Sequence, residues 1–543
     1  MFMKVLIIGG VAAGTKVAAK LKRENRGYEV TILTKSKDIS YAGCGLPYYV
    51  GKLIPGRDQL IVNTPESFSQ LTGVTVLTEM EVTKVNPAGK TVDALNLKTQ
   101  ETLTYEYDKL VIATGAEAIK PPIDGVDLKN VFCLRSPDDA VNIRNAVEAG
   151  DIKRAVVVGG GYIGLEIAEN LAAQGVRVTV IDMAKHILPG FDEEFAEYVE
   201  NHLADQGIMA FTETKLEAIL GEDKVEKVKT NNRAFKADAV ILSVGIRANT
   251  AFLADSGIAL MPNKTIKVNE YLETNLQDIY AVGDCATVTN RLTKEAAWSP
   301  MGSTANIAGR IAAKNIAGNK IAYSGVLGTA IAKLPKLNVA RTGLTEAAAI
   351  EAGFNTVSAV AVVDDKAHYY PGASFFIIKM IADKESKQLL GLQVLGEGAV
   401  DKIVDIAVTA ITMGATLLDI ENLDLAYAPP FSTAIHPFSH TVNVLLNKIS
   451  GAFETITPAA YANGEAKDYK VIDASINPSI DGAPYIDLSK VNGELPEYGK
   501  EDKLLLVCAK GKRAYMLHNR LKHYGYTNTL VLEGGITFNE LTL

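Results

Sequence analysis

One cysteine lies in a setting that is typical of redox chemistry. Cys44 stands in the segment SYAGCGLPYY, residues 40–49, and the chain has only three other cysteines, at positions 133, 285 and 508. Five residues after Cys44 stands Tyr49, so the C-x-x-x-x-C spacing of an internal dithiol is not present. A single thiol of this kind must pair with an external sulfur, as a mixed disulfide or a persulfide. Cys44 is therefore our candidate redox-active sulfur, and we expect a helix N-terminus to lower its pKa.

A second cysteine is followed by a cluster of positive charge. In the segment VCAKGKRAY, Cys508 precedes Lys510, Lys512 and Arg513 within five residues. If this loop curls around the sulfur, successive backbone N–H groups form an anion-binding nest that would stabilise a thiolate or persulfide. The alternative is a docking domain that performs no chemistry. The other two cysteines have no comparable setting, and we expect both to be structural.

A complete glycine-rich turn predicts a dinucleotide site in the middle of the chain. Gly159, Gly161 and Gly164 fill the three positions of G-x-G-x-x-G after a buried strand, and Asp182 ends the next strand. Such a turn lets backbone N–H groups approach a pyrophosphate, and the carboxylate binds a ribose 2′-OH. No arginine directly follows Asp182, which favours NADH, while Lys185 keeps NADPH as the alternative.

A less complete copy of this turn lies near the N-terminus. Gly9 and Gly14 hold the outer positions of GGVAAG, but a valine replaces the middle glycine and Thr34 stands where an acidic residue is expected. Alone, this copy leaves a nucleotide site and a structural turn as equal alternatives. The segment YAVGDCA favours a flavin nucleotide, because Asp284 follows a strand and suits the ribityl or pyrophosphate region.

Parallel sheets are needed to position these turns. Over the first 330 residues, short β-branched segments alternate with amphipathic stretches, which predicts parallel βαβ layers. Beyond about residue 326 the segments KLNVARTGLT, SAVAVVDD, SFFIIKMIAD and LLGLQVLG predict antiparallel strands. The loose composition of residues 451–468 suggests a linker, and the remainder reads as a small α/β unit.

Bulk composition narrows the class of protein. The 543 residues carry a net charge of −8, which argues against a nucleic-acid partner. The N-terminal apolar run, Val5 to Ile8, is too short for a signal-peptide core or a membrane span. Four scattered cysteines form neither a disulfide framework nor a zinc site, so we expect no metal. We expect a cytoplasmic protein with reduced thiols and no membrane contact.

The order of the motifs is similar to that of a known family. GGVAAG, SYAGCGLPYY, IATGA, GGGYIGLE, YAVGDCA and AYAPPF together resemble the single-cysteine flavin disulfide reductases, and most closely the coenzyme A-disulfide reductases, over about residues 3 to 448. The tail resembles a rhodanese sulfurtransferase domain, because Cys508, Gly511 and Arg513 fit that family's loop and the shortened first half keeps Asp473. The resemblance implies FAD at the first turn, NAD(P)H at the second, and a homodimer.

The predicted fold class is α/β, with two nested Rossmann-like FAD- and NAD(P)-binding domains, an α+β dimerisation domain and a small α/β rhodanese-like domain. The predicted FAD-binding domain is discontinuous and comprises residues 1–116 and 246–325, and the NAD(P)H-binding domain comprises residues 117–245. The dimerisation domain is predicted at residues 326–448, a linker at 449–467, and the rhodanese-like domain at 468–543.

The resemblance also implies a set of binding residues. For FAD these are Gly9, Gly10, Gly14, Thr34, Lys35, Thr114, Gly115, Gly283 and Asp284. For NAD they are Gly159, Gly161, Tyr162, Ile163, Gly164, Asp182 and Gly245. For coenzyme A or another sulfur substrate they are Ser40, Arg23 and Asn306, with Lys510, Gly511 and Arg513 in the tail.

Two tyrosines complete the implied catalytic set with Cys44 and Cys508. HYYPGA and LAYAPPF resemble segments that reach into the partner's active site, where Tyr369 and Tyr427 would hydrogen-bond a leaving thiolate or donate a proton. The alternative is that both tyrosines pack a dimer interface. His436 precedes a proline as in dithiol reductases, but neither the following glutamate nor the dithiol is present, so we treat it as incidental.

The implied activity is FAD-dependent reduction, by NADH, of coenzyme A persulfide, coenzyme A disulfide or polysulfide at Cys44, with the tail relaying sulfane sulfur. The family commonly has asparagine before the cysteine, and Gly43 at this position argues against tight retention of coenzyme A. One alternative is an NADH oxidase that uses oxygen, but those enzymes typically have histidine at the place of Ala12. Another is a redox-sensing flavoprotein with a docking tail, which the complete NAD turn disfavours.

Overall fold

The structure is a computed structural model that describes residues 3–541. It divides into two compact units, one formed by residues up to 187 with 207–326, and the other by residues 188–206 with those from 327 onward. Residues 188–206 thus group with the second unit, although they fall inside the predicted NAD(P)H-binding range. Among the described residues, no helix combines the length and apolar character that a membrane span requires.

The first parallel sheet of the first unit carries the N-terminal glycine turn. Its strand order is β18-β7-β1-β2-β3. Val5 and Ile7 of β1 pack with helices α1 and α7, while Leu6 and Ile8 face an antiparallel β4-β5-β6 layer, so the strand is buried on both sides. The bounds are β1 Lys4–Ile8, α1 Ala12–Glu24, β2 Glu29–Thr34, α2 Leu46–Val50, α3 Pro65–Thr72, β3 Thr75–Thr78, β4 Met80–Asn86, β5 Thr91–Asn96, β6 Thr102–Glu106, β7 Lys109–Ile112, β18 Ile279–Ala281 and α7 Gly302–Ile316.

The second parallel sheet repeats this plan around the complete glycine turn. Its strand order is β12-β11-β10-β16-β9, and a small antiparallel sheet, β13-β14-β15, packs beside it. The bounds are β8 Ala116–Ala118, β9 Val131–Cys133, α4 Pro137–Glu148, β10 Arg154–Val158, α5 Tyr162–Ala173, β11 Arg177–Ile181, β12 Met209–Phe211, β13 Leu216–Leu220, β14 Lys227–Thr230, β15 Ala234–Lys236, β16 Ala239–Leu242, β17 Ile246–Ala248, β19 Val288–Thr289 and β20 Ala296–Ala297. β8 pairs with β17 and β19 with β20.

The second unit is built on an antiparallel sheet with the order β21-β22-β25-β24-β23. Lys379 on β24 is only 3% exposed and pairs with Asp192, Glu194 and Glu346 at 2.6–3.0 Å. This buried ion cluster joins the α6 segment to the sheet. The bounds are α6 Glu193–Asp205, β21 Ala330–Leu334, β22 Leu337–Gly343, α8 Glu346–Glu351, β23 Thr356–Asp364, β24 Phe375–Asp383, β25 Leu389–Gly396, α9 Val400–Met413, α10 Leu417–Glu421 and α11 Pro437–Ile449.

The C-terminal residues of the second unit form a parallel sheet with the order β26-β29-β28-β27. Glu533, at the end of β29, is buried and holds this sheet to β23, because its carboxylate accepts the N–H of Val360 at 2.7 Å and pairs with Lys448 at 2.7 Å. The bounds are β26 Thr455–Ile456, α12 Pro458–Ala462, β27 Lys470–Asp473, β28 Leu504–Val507, α13 Lys512–His523, β29 Thr529–Leu532 and α14 Gly535–Phe538.

Candidate active site and nucleotide turns

Cys44 lies at the start of a short helical segment in the first unit. Gly43–Gly45 form a single 3-10 turn, and α2 follows directly. The N–H of Gly45 closes the turn by donating to the carbonyl of Ala42 at 2.9 Å. Cys44 is exposed and its thiol is free. A Cβ on Gly43 would meet no atom of the described residues within 4 Å beyond its chain neighbours, so the backbone beside the sulfur is open to a ligand.

The electrostatic setting of Cys44 differs from the sequence-based expectation. Desolvation by the surrounding protein raises the pKa of the thiol, the Glu166 carboxylate raises it further, and the Arg135 guanidinium opposes both. The expectation of a lowered pKa is therefore wrong. The physical reason is that α2 has only five residues, which gives a weak dipole, while a carboxylate lies close by.

A half-buried carboxyl–phenol pair lies beside this cysteine, and sequence reasoning missed it. The Tyr48 hydroxyl donates to Glu166 Oε1 at 3.0 Å. Burial raises the pKa of Glu166 to about 7, partly offset by this hydrogen bond, and the same burial moves the Tyr48 pKa upward. Both residues stand in the motifs GLPYY and GGGYIGLE, so the pair could have been found only by placing α2 against α5, which the structure does.

The N-terminal glycine turn has the shape that a pyrophosphate requires. Gly9 has φ +109°, and a Cβ there would lie 2.1 Å from the carbonyl oxygen of Ala113. A Cβ on Gly14 would lie 1.9 Å from the oxygen of Gly9, so strand and helix approach too closely for a side chain. Val11 caps α1 without a side-chain hydrogen bond, and the first turn holds no acidic residue. The N–H groups of the helix start therefore suit an anion such as the FAD pyrophosphate.

The other predicted FAD residues follow the C-terminal ends of neighbouring strands in the same sheet. Thr34 ends β2 and is buried, and Lys35 pairs with Glu81 at 2.8 Å. The Asp284 carboxylate, just after β18, pairs with Arg135 at 2.6 Å. The remaining members lie in turns. The carbonyl of Gly10 accepts the Ser40 N–H, and the Thr114 hydroxyl donates to the carbonyl of Asn249. Gly115 and Gly283 have positive φ angles of +66° and +81°.

The second glycine turn fits a dinucleotide in the same way. Gly159 has φ +109°, and a Cβ on Gly164 would lie 2.0 Å from the oxygen of Gly159. Within the part of the chain that the structure describes, a Cβ on Gly161 would meet no atom within 4 Å outside its own chain neighbours, which leaves room for a phosphate. The Asp182 carboxylate accepts the N–H of Gly160 at 2.6 Å, so it is held beside the turn where a ribose would lie.

Three further predicted NAD residues surround this turn. Tyr162 and Ile163 form the first turn of α5, and Ile163 is exposed. Gly245 follows β16 with φ +119°. Nearby Ser243, whose carbonyl lies against Gly159, has a buried hydroxyl without a hydrogen-bond partner among the described residues.

The predicted coenzyme A residues lie on three separate elements of the first unit. Ser40 has φ +46° and its N–H donates to the carbonyl of Gly10, which places it directly beside the FAD turn. Arg23 is exposed in the last turn of α1, and Asn306 lies in α7 with its amide donating to Gly302 at 2.8 Å. Helices α1 and α7 pack against each other, so Arg23 and Asn306 belong to one helix pair.

The structure brings the two predicted tyrosines together. Tyr369 lies in the β23–β24 loop and Tyr427 in the segment before α11, and they are 67% and 50% exposed. A hydrogen bond with Tyr369 raises the pKa of Tyr427. The two phenols therefore form one polar contact on the surface of the second unit.

Cys508 lies in the loop between β28 and α13 and is buried. Its carbonyl accepts the N–H of Ile536 at 3.1 Å, which braces the loop. Gly511 has φ +84° and caps α13 without a side-chain bond, and no acidic residue lies in the first turn. This is the curled loop expected of an anion nest.

Side chains around this loop are already engaged. The Asp473 carboxylate accepts the N–H of Ser479 at 2.7 Å and others, and these bonds lower its pKa although burial alone would raise it. Arg513 donates to the carbonyl of Ala474 at 3.2 Å. Lys510 pairs with Asp364, a residue of the antiparallel sheet that sequence reasoning did not single out.

Two other residues have structural roles. His436 Nδ1 accepts the N–H of Phe438 at 3.2 Å and so caps α11. Burial, with Lys402 nearby, lowers the His436 pKa to about 4, so the ring is neutral at pH 7. Cys285 is fully buried, and burial raises the pKa of its thiol, in line with a structural role.

Comparison with known proteins places the chain in a family. It matches the family described as pyridine nucleotide-disulphide oxidoreductase over residues 3–300, and the dimerisation domain of that family over residues 329–437. It is 35% identical to an NADH oxidase of Methanocaldococcus jannaschii, covering 82% of this chain and 100% of that protein. It is 36% identical to the NAD(P)H coenzyme A polysulfide/persulfide reductase of Pyrococcus horikoshii, covering 82% and 99%.

A solved structure extends the similarity to the tail. The reduced Bacillus anthracis CoADR-RHD is 32% identical and superposes with a TM-score of 0.94, covering 99% of this chain and 98% of that one. The predicted fold class, with its rhodanese-like tail, is thereby confirmed, as is the prediction of a flavin- and NAD(P)H-dependent oxidoreductase. The chain belongs to the pyridine nucleotide-disulphide oxidoreductase family, which uses FAD and NAD(P)H.

Proposed function

We propose that this chain reduces the sulfur–sulfur bond of coenzyme A persulfide, coenzyme A disulfide or polysulfide, with NADH as the electron donor and Cys44 as the redox-active sulfur. The observation that carries the proposal is that Cys44 is exposed and free, with an open backbone at Gly43 and the half-buried Glu166–Tyr48 pair beside it. The names of the Pyrococcus and Bacillus relatives support the substrate class.

The overall reaction is balanced with NADH alone as reductant. Coenzyme A persulfide, NADH and a proton give coenzyme A thiol, hydrogen sulfide and NAD⁺, and a disulfide gives two thiols instead. Bound FAD would supply a two-electron carrier between NADH and the sulfur on Cys44. The residues that fit FAD are those of the Gly9–Gly14 turn with Asp284, and those that fit NADH are the Gly159–Gly164 turn with Asp182.

The residues around Cys44 control its proton. Arg135 favours the thiolate, whereas desolvation and Glu166 favour the thiol. Because the pKa of Glu166 is about 7, it exists in both protonation states at neutral pH and can accept or return a proton. The hydroxyl of Tyr48 donates to this carboxyl and holds it in place. Glu166 and Tyr48 thus act as a proton reservoir for the cysteine.

The tyrosine pair would act on the leaving thiolate. Tyr369 and Tyr427 are hydrogen-bonded to each other and exposed, so their phenol groups are accessible to a substrate. We assign them to the partner's active site in a cytoplasmic homodimer, as the matched dimerisation domain suggests. Cys508 would receive sulfane sulfur as a persulfide and pass it to coenzyme A or to Cys44.

The second candidate is an NADH oxidase, which the name of the Methanocaldococcus relative favours. Against it, Ala12 stands at the position in the first glycine turn where such oxidases typically carry a histidine.

The test is anaerobic NADH consumption with coenzyme A persulfide and coenzyme A disulfide. We expect turnover of both, lost in Cys44→Ser and kept in the matched control Cys133→Ser. Cys508→Ser should lose activity only with larger sulfane donors. Reduction of oxygen with neither sulfur acceptor reduced would instead establish the oxidase.

A further inference from the structure

The sulfur-carrying loop of the tail is held by a carboxylate from outside the tail. Lys510 lies two residues after Cys508, and its ammonium pairs with Asp364 Oδ1 at 2.5 Å. It also lies 5.5 Å above the ring of Phe375, which stands opposite Asp364 in the β23–β24 ladder. The end of this ladder therefore binds one of the loop's cations.

Backbone hydrogen bonds restrict the movement of the Cys508 loop away from Asp364. The carbonyls of Cys508 and Ala509 accept the N–H groups of Ile536 and Thr537 at 3.1 and 3.0 Å. The same segment is tied to β23 through Glu533, which accepts the Val360 N–H at 2.7 Å. Both the Lys510–Asp364 ion pair and the Glu533–Val360 hydrogen bond end on β23. Cys508 and Asp364 are therefore fixed relative to each other.

The ion pair between Lys510 and Asp364 changes the charge that a substrate meets at Cys508. Three cations follow the cysteine, but Lys510 pairs with Asp364. The Arg513 guanidinium donates to the carbonyl of Ala474 at 3.2 Å and lies near the Asp487 carboxylate, whose pKa is lowered by hydrogen bonds and further by this guanidinium. Among the described residues, Lys512 makes no ion pair or side-chain hydrogen bond, and its charge adds to burial in lowering the pKa of the nearby His440. A site that attracts a dianion needs more positive potential than one that takes a singly charged group.

We propose that Asp364 is a specificity-determining residue, which lowers the positive potential at Cys508 and so disfavours dianionic sulfur donors relative to thiol persulfides. The inference rests on the proposed sulfur-transfer role of Cys508. Thiosulfate concentrates two charges on the group that enters the loop, whereas a thiol persulfide brings one to the reacting sulfur. Charges far along a coenzyme A arm are screened over about 8 Å at physiological salt and matter less.

The same covalent step occurs with both donors. The Cys508 thiolate attacks the outer sulfur, the donor's S–S bond breaks, and its electron pair leaves with sulfite or with the donor thiolate. Cys508 is left as a persulfide, and cyanide then removes the sulfur as thiocyanate and regenerates the thiolate. Donor charge is therefore the variable that the comparison isolates.

The experiment measures thiocyanate formation by the full-length protein with thiosulfate and with the persulfide of 2-mercaptoethanol. Asp364→Asn should raise kcat/KM for thiosulfate about 2- to 5-fold, the size expected for one partly exposed charge, and change the persulfide by less than about 1.5-fold. The gain should shrink as salt is raised. Asp364→Glu, which keeps the charge, should retain the wild-type ratio, and Asp364→Asn/Lys510→Gln should lose the gain.

Equal changes with both donors, or a lower thiosulfate rate in Asp364→Asn, would overturn the inference while leaving the role of Cys508 intact. If wild type and Cys508→Ser form thiocyanate equally, the relay proposal itself fails and the inference with it. Unchanged unfolding midpoints would show that the variants are folded.

Discussion

The buried carboxylate of Glu533 offers a quantitative test of how the tail is held. Its side chain is 1% exposed and bonds to three groups: Lys448 Nζ at 2.7 Å, Thr455 Oγ1 at 2.5 Å and the backbone N–H of Val360 at 2.7 Å. We predict that Glu533→Ala removes all three bonds and weakens the docked state of the tail.

The magnitude follows from the geometry. Removing one partner of a buried ion pair costs about 3–5 kcal/mol, because the other charge is left without compensation. Lys448 is 20% exposed, so water recovers part of this energy, and we expect the lower end of the range. At about 1.4 kcal/mol per tenfold change, 3 kcal/mol increases the undocked population roughly 100-fold.

The assay is hydrogen exchange of the peptide that contains the Val360 amide, because this N–H is protected by Glu533 itself. Exchange should accelerate by about two orders of magnitude in Glu533→Ala. Glu540→Ala, a change of the same type at an exposed position, is the matched control and should leave exchange unchanged. Coenzyme A disulfide reduction should persist in both variants. Unaltered protection of Val360 in Glu533→Ala would refute the reasoning.

Three further predictions concern proton chemistry, stability and cofactor binding. In Glu166→Gln the Cys44 pKa should fall, since a carboxylate that raises it is removed. Alkylation of Cys44 by iodoacetamide at pH 7 should therefore accelerate. The pH profile of this alkylation should also lose the shallow region near pH 7 where Glu166 ionises. A slower reaction would contradict this. Lys379→Met should destabilise the second unit by about 3–5 kcal/mol in guanidinium unfolding, because three carboxylates lose their counter-ion, whereas exposed Lys384→Met should cost less than about 0.5 kcal/mol. Equal effects would show that the cluster contributes nothing. Asp182→Ala should raise KM for NADH about tenfold with little change in kcat, by loss of the ribose bond, and an unchanged KM would remove Asp182 from the site.

The nucleotide turns were predictable because their chemistry is local. At Gly14 and Gly164 a Cβ would overlap the carbonyl of the first glycine of the same turn, so the sequence spacing alone encodes the close approach. The carboxylate of Asp182 likewise follows from its place at the end of the next strand. Cys44 and Cys508 could be singled out from local sequence alone, the first by its spacing from Tyr49 and the second by the cations that follow it.

Contacts between distant segments were not predictable. Glu166 and Tyr48 are 118 residues apart, and Lys510 and Asp364 are 146 apart, so no pattern within one segment indicates either pair. The sign of the Cys44 pKa shift depended on the first of these contacts, which is why the expected lowering was wrong.

Docking of the tail has a consequence for solubility. β23 is the last strand of its sheet, and such edge strands expose unpaired N–H and C=O groups that recruit strands from other chains. Here Glu533 occupies the Val360 N–H, and Lys448, itself paired with Glu533, occupies the Ser358 carbonyl at 2.8 Å. Through Glu533 the tail thus covers part of this edge, and we expect a chain truncated before the tail to expose the Val360 N–H and to aggregate more readily.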